Sequence, residues 1–149
     1  MRAVEQSTTF DRLPDAIRPV LDNGIPAGMA TCSAAGVPNM TVVSQVYYVD
    51  TQHVAVSFQF FNKTVRNIRE NPRAEVAVHD PFGQVDWILE LQFVRSEKEG
   101  PIFEAMDIQI EAIASATGMS GIFKLMAADI YRVRSCRRIE YGGRAAEPA

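Results

Sequence analysis

The chain predicts a mainly β fold: an antiparallel barrel or sandwich of about six strands with flanking helices. Three observations point there. Period-two alternation recurs along the sequence, above all over His53 to Phe60 and Gln84 to Arg95. Short turns such as Asp50-Thr51-Gln52 and Asp80-Pro81-Phe82-Gly83 join these runs, which makes sequential strands antiparallel neighbours. Helical stretches are few and set up no βαβ rhythm, which argues for a barrel or sandwich rather than a parallel sheet.

The elements follow in order. Met1 to Thr9 is polar and expected to be flexible. Phe10 to Asp22 predicts a short helix with Ile17, Val20 and Leu21 inward. Pro14 suits its first turn, Pro19 strains or kinks the rest, and Asn23-Gly24 stops it. Ala27 to Ser33 is a strand, Ala34-Ala35-Gly36 a turn, and Pro38 to Val49 one long β-rich run. His53 to Phe60 places Val54, Val56, Phe58 and Phe60 on one face and His53, Ala55, Ser57 and Gln59 on the other. Ala74 to His79 alternates again. Gln84 to Arg95 sets Val85, Trp87, Leu89, Leu91 and Phe93 on one face, where Trp87 is expected in the core. Pro101 to Ala116 predicts a helix with Ile102, Phe103, Met106, Ile110 and Ile113 at helical spacing. A last strand begins at Ala128 to Val133 and extends toward Tyr141, and residues 142–149 are expected to be flexible.

Composition narrows the function. The 149 residues suit one domain spanning 1–149, and 47% hydrophobic with 22% charged residues is ordinary for a soluble globular protein. A net charge of −3 argues against non-specific nucleic-acid binding. Neither a signal-peptide run nor a membrane-spanning run is evident, so a cytoplasmic protein is expected. Cys32 and Cys136 lie in separate strands without CxxC spacing and act as small hydrophobes.

The most informative stretch is Phe60-Phe61-Asn62-Lys63-Thr64-Val65-Arg66-Asn67-Ile68-Arg69-Glu70-Asn71-Pro72. Asn62 is a strong N-cap residue, and Pro72 ends a helix of roughly Lys63 to Glu70. Val65 and Ile68 give that helix a buried stripe. Its N-terminus presents free N–H groups and the positive dipole end, with Lys63 and Arg66 on the same side. Cations there oppose the dipole unless an anion joins them, so the segment suggests a phosphorylated ligand. The alternative is an ordinary solvated helix.

Other chemistry is sparse. His53 and His79 are the only histidines, and His79-Asp80 fits a turn better than a catalytic pair. Ligands for a metal are too few, and no G-x-S-x-G elbow surrounds Ser44, Ser57 or Ser120. Tyr47 and Tyr48 fall on opposite faces, one packed and the other exposed or interfacial. The Gly118 to Gly121 loop is either a lid or a plain connection.

The hairpin Ala30-Thr31-Cys32-Ser33-Ala34-Ala35-Gly36-Val37-Pro38-Asn39, followed by Asn62-Lys63-Thr64 and then Asn71-Pro72-Arg73-Ala74, resembles the pyridoxamine 5′-phosphate oxidase-like family of FMN-binding split β-barrels. The resemblance covers Ile25 to Asp80 well and the remainder loosely. It implies a six-stranded antiparallel split barrel and a homodimer with two flavin sites at the interface. It also implies that Asn62, Lys63 and Thr64, aided by Arg66, hold the flavin phosphate. Thr41-Val42-Val43-Ser44 would run along the ring and ribityl chain, and Ser57-Phe58 would add a further contact. The named oxidases carry arginine at the position of Thr41 and an Arg-Lys pair in place of Lys63-Thr64, so this site is less positive. They also end in a Trp- and Arg-bearing segment that Arg137 to Arg144 lacks, which speaks against vitamin B6 oxidase activity. The implied function is a flavin-dependent oxidoreductase acting on a small molecule with NAD(P)H or another reductant. The alternatives are a non-catalytic flavin-binding or sensory module, a structural barrel without ligand, and a relative using deazaflavin or haem, the last with His53 or His79 as axial ligand.

Overall fold

The computed structural model describes residues 6–58, 62–116, 118 and 124–141. Eight strands form one antiparallel sheet in the order β3-β2-β6-β7-β8-β5-β4, with β1 paired to β8 beside that path. The strands are β1 (Gln6–Phe10), β2 (Ala27–Cys32), β3 (Pro38–Val43), β4 (Val46–Asp50), β5 (His53–Phe58), β6 (Arg73–Asp80), β7 (Val85–Glu97) and β8 (Ala127–Glu140). The helices are α1 (Arg18–Asp22), preceded by a 3₁₀ turn at Asp15–Ile17, α2 (Asn62–Glu70) and α3 (Pro101–Ala116). No ladder joins β3 to β4 among the described residues, so the sheet curls without closing, as a split barrel does.

The split is built around β8. One of its edges runs along β7 for nearly its whole length. Its other edge is shared: residues 127–132 pair with β5 and residues 136–140 pair with β1. Fourteen residues make β8 long enough for both partners.

Eight strands replace the six expected, for two reasons. Gln6 to Thr9, expected to be flexible, join Phe10 in a strand that pairs with β8, and this polar, mostly exposed strand has no inward face to announce it. The expected run Pro38 to Val49 breaks at Ser44-Gln45 into β3 and β4. Gln45 is only 1% exposed there, with its backbone tied to Ser57: Ser57 N–H donates to Gln45 O, and Gln45 N–H to Ser57 Oγ, both at 3.2 Å. The expected helix Phe10 to Asp22 is also shorter. Phe10 closes β1, and the two prolines divide the rest: Pro14 caps the 3₁₀ turn, and Pro19 enters the first turn of α1, where its missing N–H costs nothing. Gly24 stops α1 as expected, at φ +64° with its N–H on Leu21 O.

Two apolar clusters hold the fold together. The larger fills the barrel and includes Met29, Val43, Val54, Val56, Val76, Trp87, Leu89, Leu91 and Tyr131. Trp87 is 2% exposed, as expected of a core residue, and the Arg138 guanidinium lies 5.5 Å from its ring centroid. Burial pushes the Cys136 thiol in this core up to about 12. The smaller cluster sits between α3 and the outer side of the sheet: Ala55, Met106, Ile110, Leu125, Ala128 and Ile130. So β5 is covered on both faces, Val54 and Val56 meeting the barrel core and Ala55 the α3 cluster. Ala114 takes the buried place expected of Ile113, which is 43% exposed. Both tyrosines are half-buried, Tyr48 against the barrel core and Tyr47 against the α3 cluster, so neither is the fully exposed one.

Candidate functional site

Helix α2 follows β5 and is fixed to the β2–β3 hairpin by polar bonds. Asn67 Nδ2 donates to Thr31 Oγ1 at 3.1 Å. Asn39 Nδ2 donates to Thr64 Oγ1 at 3.2 Å. Glu70 Oε2 accepts the Ala34 N–H at 3.0 Å. Thr64, Asn67 and Ile68 are the buried residues of this helix, at 5%, 4% and 7% exposure. The expected stripe of Val65 and Ile68 is therefore rotated: Ile68 is buried, Val65 is half-buried, and two polar residues complete the inward side. Each is satisfied by a hairpin partner, which removes the penalty of burying it.

A cavity of about 550 Å³ opens beside this helix. Ser57 and Phe58 at the end of β5 line it together with Thr64 of α2. Met29, Val56, Ile68, Phe93 and Tyr131 give it apolar walls; Arg69, Ser96, Lys98 and Asp129 are its further polar members. Phe93 and Tyr131 meet edge-to-face, with centroids 5.5 Å apart and planes at 73°. Burial raises the Tyr131 phenol well above its ordinary value, and the nearby Asp129 carboxylate adds to the effect.

The other sequence-derived candidates lie around this cavity rather than on it. Lys63 and Arg66 are exposed on α2. Asn62 is the first residue of α2, and its side chain lies outside the described residues. Thr41 is half-buried on β3, on the same face as Asn39. Val43 is fully buried in the core, at 0% exposure, so a ligand reaches it only along the neighbouring strand residues. Val42 is 67% exposed on the opposite face. Ser44 is half-buried at the exit of β3. Among the described residues β3 pairs only with β2, so its outer edge offers backbone N–H and C=O groups.

Neither histidine lines the cavity. His53 Nδ1 lies 2.9 Å from Asp50 Oδ1. Burial raises the Asp50 carboxyl, but bonds from the Gln52 N–H and the His53 ring outweigh it, and the net shift is downward. His79 pairs with Asp86 across the β6–β7 ladder, not with the adjacent Asp80, and Tyr141 Oη donates to the other Asp86 oxygen at 2.8 Å. Asp80 instead accepts the Phe82 N–H, the turn role expected there. No group of three or more His, Cys, Asp or Glu side chains suited to a metal occurs among the described residues. The Gly118 to Gly121 loop lies outside the described residues except for Gly118.

Sequence reasoning missed Arg69, Ser96, Lys98 and Asp129. Only Asp129 left a signal, an acid at an inward-facing position between Ala127 and Tyr131.

A family described as pyridoxamine 5′-phosphate oxidase matches residues 13–135. The chain belongs to that family. No curated protein matches. Among solved structures, an FMN-binding protein from Syntrophomonas wolfei subsp. wolfei is similar at 15% identity and TM-score 0.64, over 80% of each chain. Group A Streptococcus HupZ is similar at 21% identity and TM-score 0.60, over 81% of this chain and 89% of that one. HutZ, the heme storage protein from Vibrio cholerae, is similar at 17% identity and TM-score 0.53, over 83% of this chain and 89% of that one. At these identities the likeness establishes the shared fold.

The residues present fit a phosphorylated planar group. The cavity volume lies within the roughly 300–1,000 Å³ of small-molecule sites. Its walls are apolar and partly aromatic, as a ring system requires. Thr64 accepts from Asn39, which leaves its own O–H free to donate, and Lys63 and Arg66 supply positive charge on the same short helix.

Proposed function

We propose that the protein binds FMN and acts as a flavin-dependent oxidoreductase on a small molecule other than pyridoxamine 5′-phosphate. One observation carries this reading: Ser57, Phe58 and Thr64, from two elements, line a single cavity beside the cationic first turn of α2. Membership of the family supports it.

Each residue has a physical task in this scheme. Lys63, Arg66 and the free N–H groups of the α2 first turn hold the phosphate dianion, with Asn62 beside them. Thr64 donates to a phosphate oxygen while Asn39 holds its hydroxyl in place. Thr41 and Val42 contact the ribityl chain and ring edge, chiefly through the open backbone edge of β3, with Val43 behind them and Ser44 at the strand's exit. Ser57 and Phe58 flank the ring. When bound, FMN supplies the hydride chemistry between a reductant such as NAD(P)H and the substrate.

The same scheme makes the protein a cytoplasmic homodimer with flavin at the interface. Val37, Met40 and Val42 are 53%, 68% and 67% exposed on and beside β3, an apolar surface that a second copy covers.

The test is the visible spectrum of the purified protein, mass spectrometry of any released cofactor, and sedimentation analysis. Flavin bands, FMN and a dimer are expected. A haem Soret band or a deazaflavin in place of FMN contradicts the reading. Bound FMN without turnover by NADH or NADPH reduces it to a flavin-binding module.

A further inference from the structure

Part of the cavity wall comes from β7, the residues just after it, and β8, whose polar side chains Ser96, Lys98 and Asp129 have no task in the flavin scheme. Ser96 and Asp129 are direct partners on the β7–β8 ladder, and Ser96 Oγ donates to Asp129 Oδ1 at 2.5 Å. Asp129 Oδ2 has no hydrogen-bond donor among the described residues. Arg69 and Lys98 share the cavity, yet neither forms an ion pair with Asp129. Both are exposed to solvent, which screens them. From β5, the ladder partner of Asp129 is Val56, which brings no polar side chain.

Asp129 is thus a half-buried carboxylate with one serine and no counter-ion. Burial raises its pKa, and the Ser96 bond only partly offsets this. Such a group is a poor structural element, because an apolar residue fills the same place without losing hydration. It is a good acceptor for a ligand that brings its own positive charge. The half-buried Phe93 ring in the same wall favours a cation too, since aromatic faces attract ammonium groups.

We propose that Asp129, held by Ser96, forms a subsite for the protonated amine of a small organic ligand, whose apolar body rests against Phe93, Tyr131 and Val56. The free Oδ2 accepts the ammonium N–H. The subsite adjoins the residues assigned to the flavin and does not depend on FMN being the cofactor.

Isothermal titration with benzylamine, protonated at neutral pH, and with benzyl alcohol, its neutral counterpart, tests the proposal on the full chain with and without FMN. The wild type is expected to bind benzylamine at least about tenfold more tightly than the alcohol, with Kd below about 1 mM. Asp129→Asn brings benzylamine down to the level of the alcohol and leaves the alcohol unchanged. Ser96→Ala weakens benzylamine alone, by a smaller factor, and decides the matter if Asp129→Asn fails to melt cooperatively. Equal affinity for the two probes overturns the proposal, as does an undetectable benzylamine signal in the wild type. Unchanged benzylamine binding in a folded Asp129→Asn also overturns it. So does parallel loss of both probes, since that marks a collapsed cavity. Asp129→Asn is expected to retain wild-type FMN titration, and losing it assigns the carboxylate to the cofactor instead. If the wild type takes benzylamine and no FMN, the flavin reading fails and the subsite stands.

Discussion

Helices α2 and α3 are both fixed to the split sheet, but by different chemistry. Over its sixteen residues, α3 buries Met106, Ile110 and Ala114, the first two against Ala55, Ala128 and Ile130. Gln109 gives it a polar tie to the sheet, accepting a bond from Gln45 Nε2. The nine residues of α2 bury Thr64 and Asn67 beside Ile68, and hydrogen bonds lead from both polar residues to the β2–β3 hairpin. Apolar contact is non-directional and tolerates small rotations. Hydrogen bonds weaken steeply with angle, so they fix how a helix faces its neighbours. A helix that must aim its first turn at a ligand needs the second kind of attachment. On this account α3 contributes stability and α2 contributes orientation.

The contrast is most exposed to a change in α3. Met106 is fully buried, so Met106→Ala is expected to lower the unfolding free energy by about 2–5 kcal/mol in denaturant titration. FMN affinity of the remaining folded protein should stay at the wild-type value. Parallel loss of affinity would erase the division between the helices.

The corresponding change in α2 is Asn67→Ala. It strands the Thr31 hydroxyl in a buried place, with an expected cost of about 1–3 kcal/mol. Although that is the smaller stability loss, FMN titration should weaken, because the helix loses its angular restraint. Thr64→Val sharpens the point at lower cost. It keeps the shape, removes the acceptor for Asn39, and should reduce FMN affinity with about 1 kcal/mol lost in stability.

Asp129 gives the smallest and most diagnostic shift. Its folded-state pKa is raised above the unfolded value of 3.8, so the folded chain holds the proton more firmly. Between these two values the folded state binds more protons, and stability falls as pH rises through that window. Asp129→Asn should flatten this slope in melting curves across acidic pH. Its melting temperature at neutral pH should equal or exceed that of the wild type. A lower value would make Asp129 a structural residue.

What the sequence disclosed divides along similar lines. The inward face of β7 and the extent of α3 were legible because burial there follows a period, 2.0 or 3.6 residues, that apolar side chains trace directly. Strand β1 was not, since its residues are mostly exposed and its place comes from backbone pairing with β8. The Ser44-Gln45 break was hidden because Gln45 looks like any polar strand residue until Ser57 and Gln109 are brought to it. The inward side of α2 was misjudged for the same reason. Thr64 and Asn67 are buried only because Asn39 and Thr31, 25 and 36 residues away, satisfy them. Lys63, Thr64, Ser57 and Phe58 were named from the sequence, and the structure gathers the last three on one cavity. Asp129 is legible only from its inward-facing position, since an acid in a strand ordinarily marks solvent.

The central claim is that the α2 first turn holds the phosphate of FMN beside this cavity. Difference-absorbance titration of FMN into the wild type and Lys63→Ala tests it most directly, with riboflavin as the phosphate-free control. The account predicts saturable FMN binding by the wild type, one per chain, and a loss of about tenfold or more in Lys63→Ala. Riboflavin should bind both proteins equally weakly, and the thermal stability of Lys63→Ala should be unchanged. No FMN binding by the wild type, or equal FMN binding by both proteins, would contradict the account.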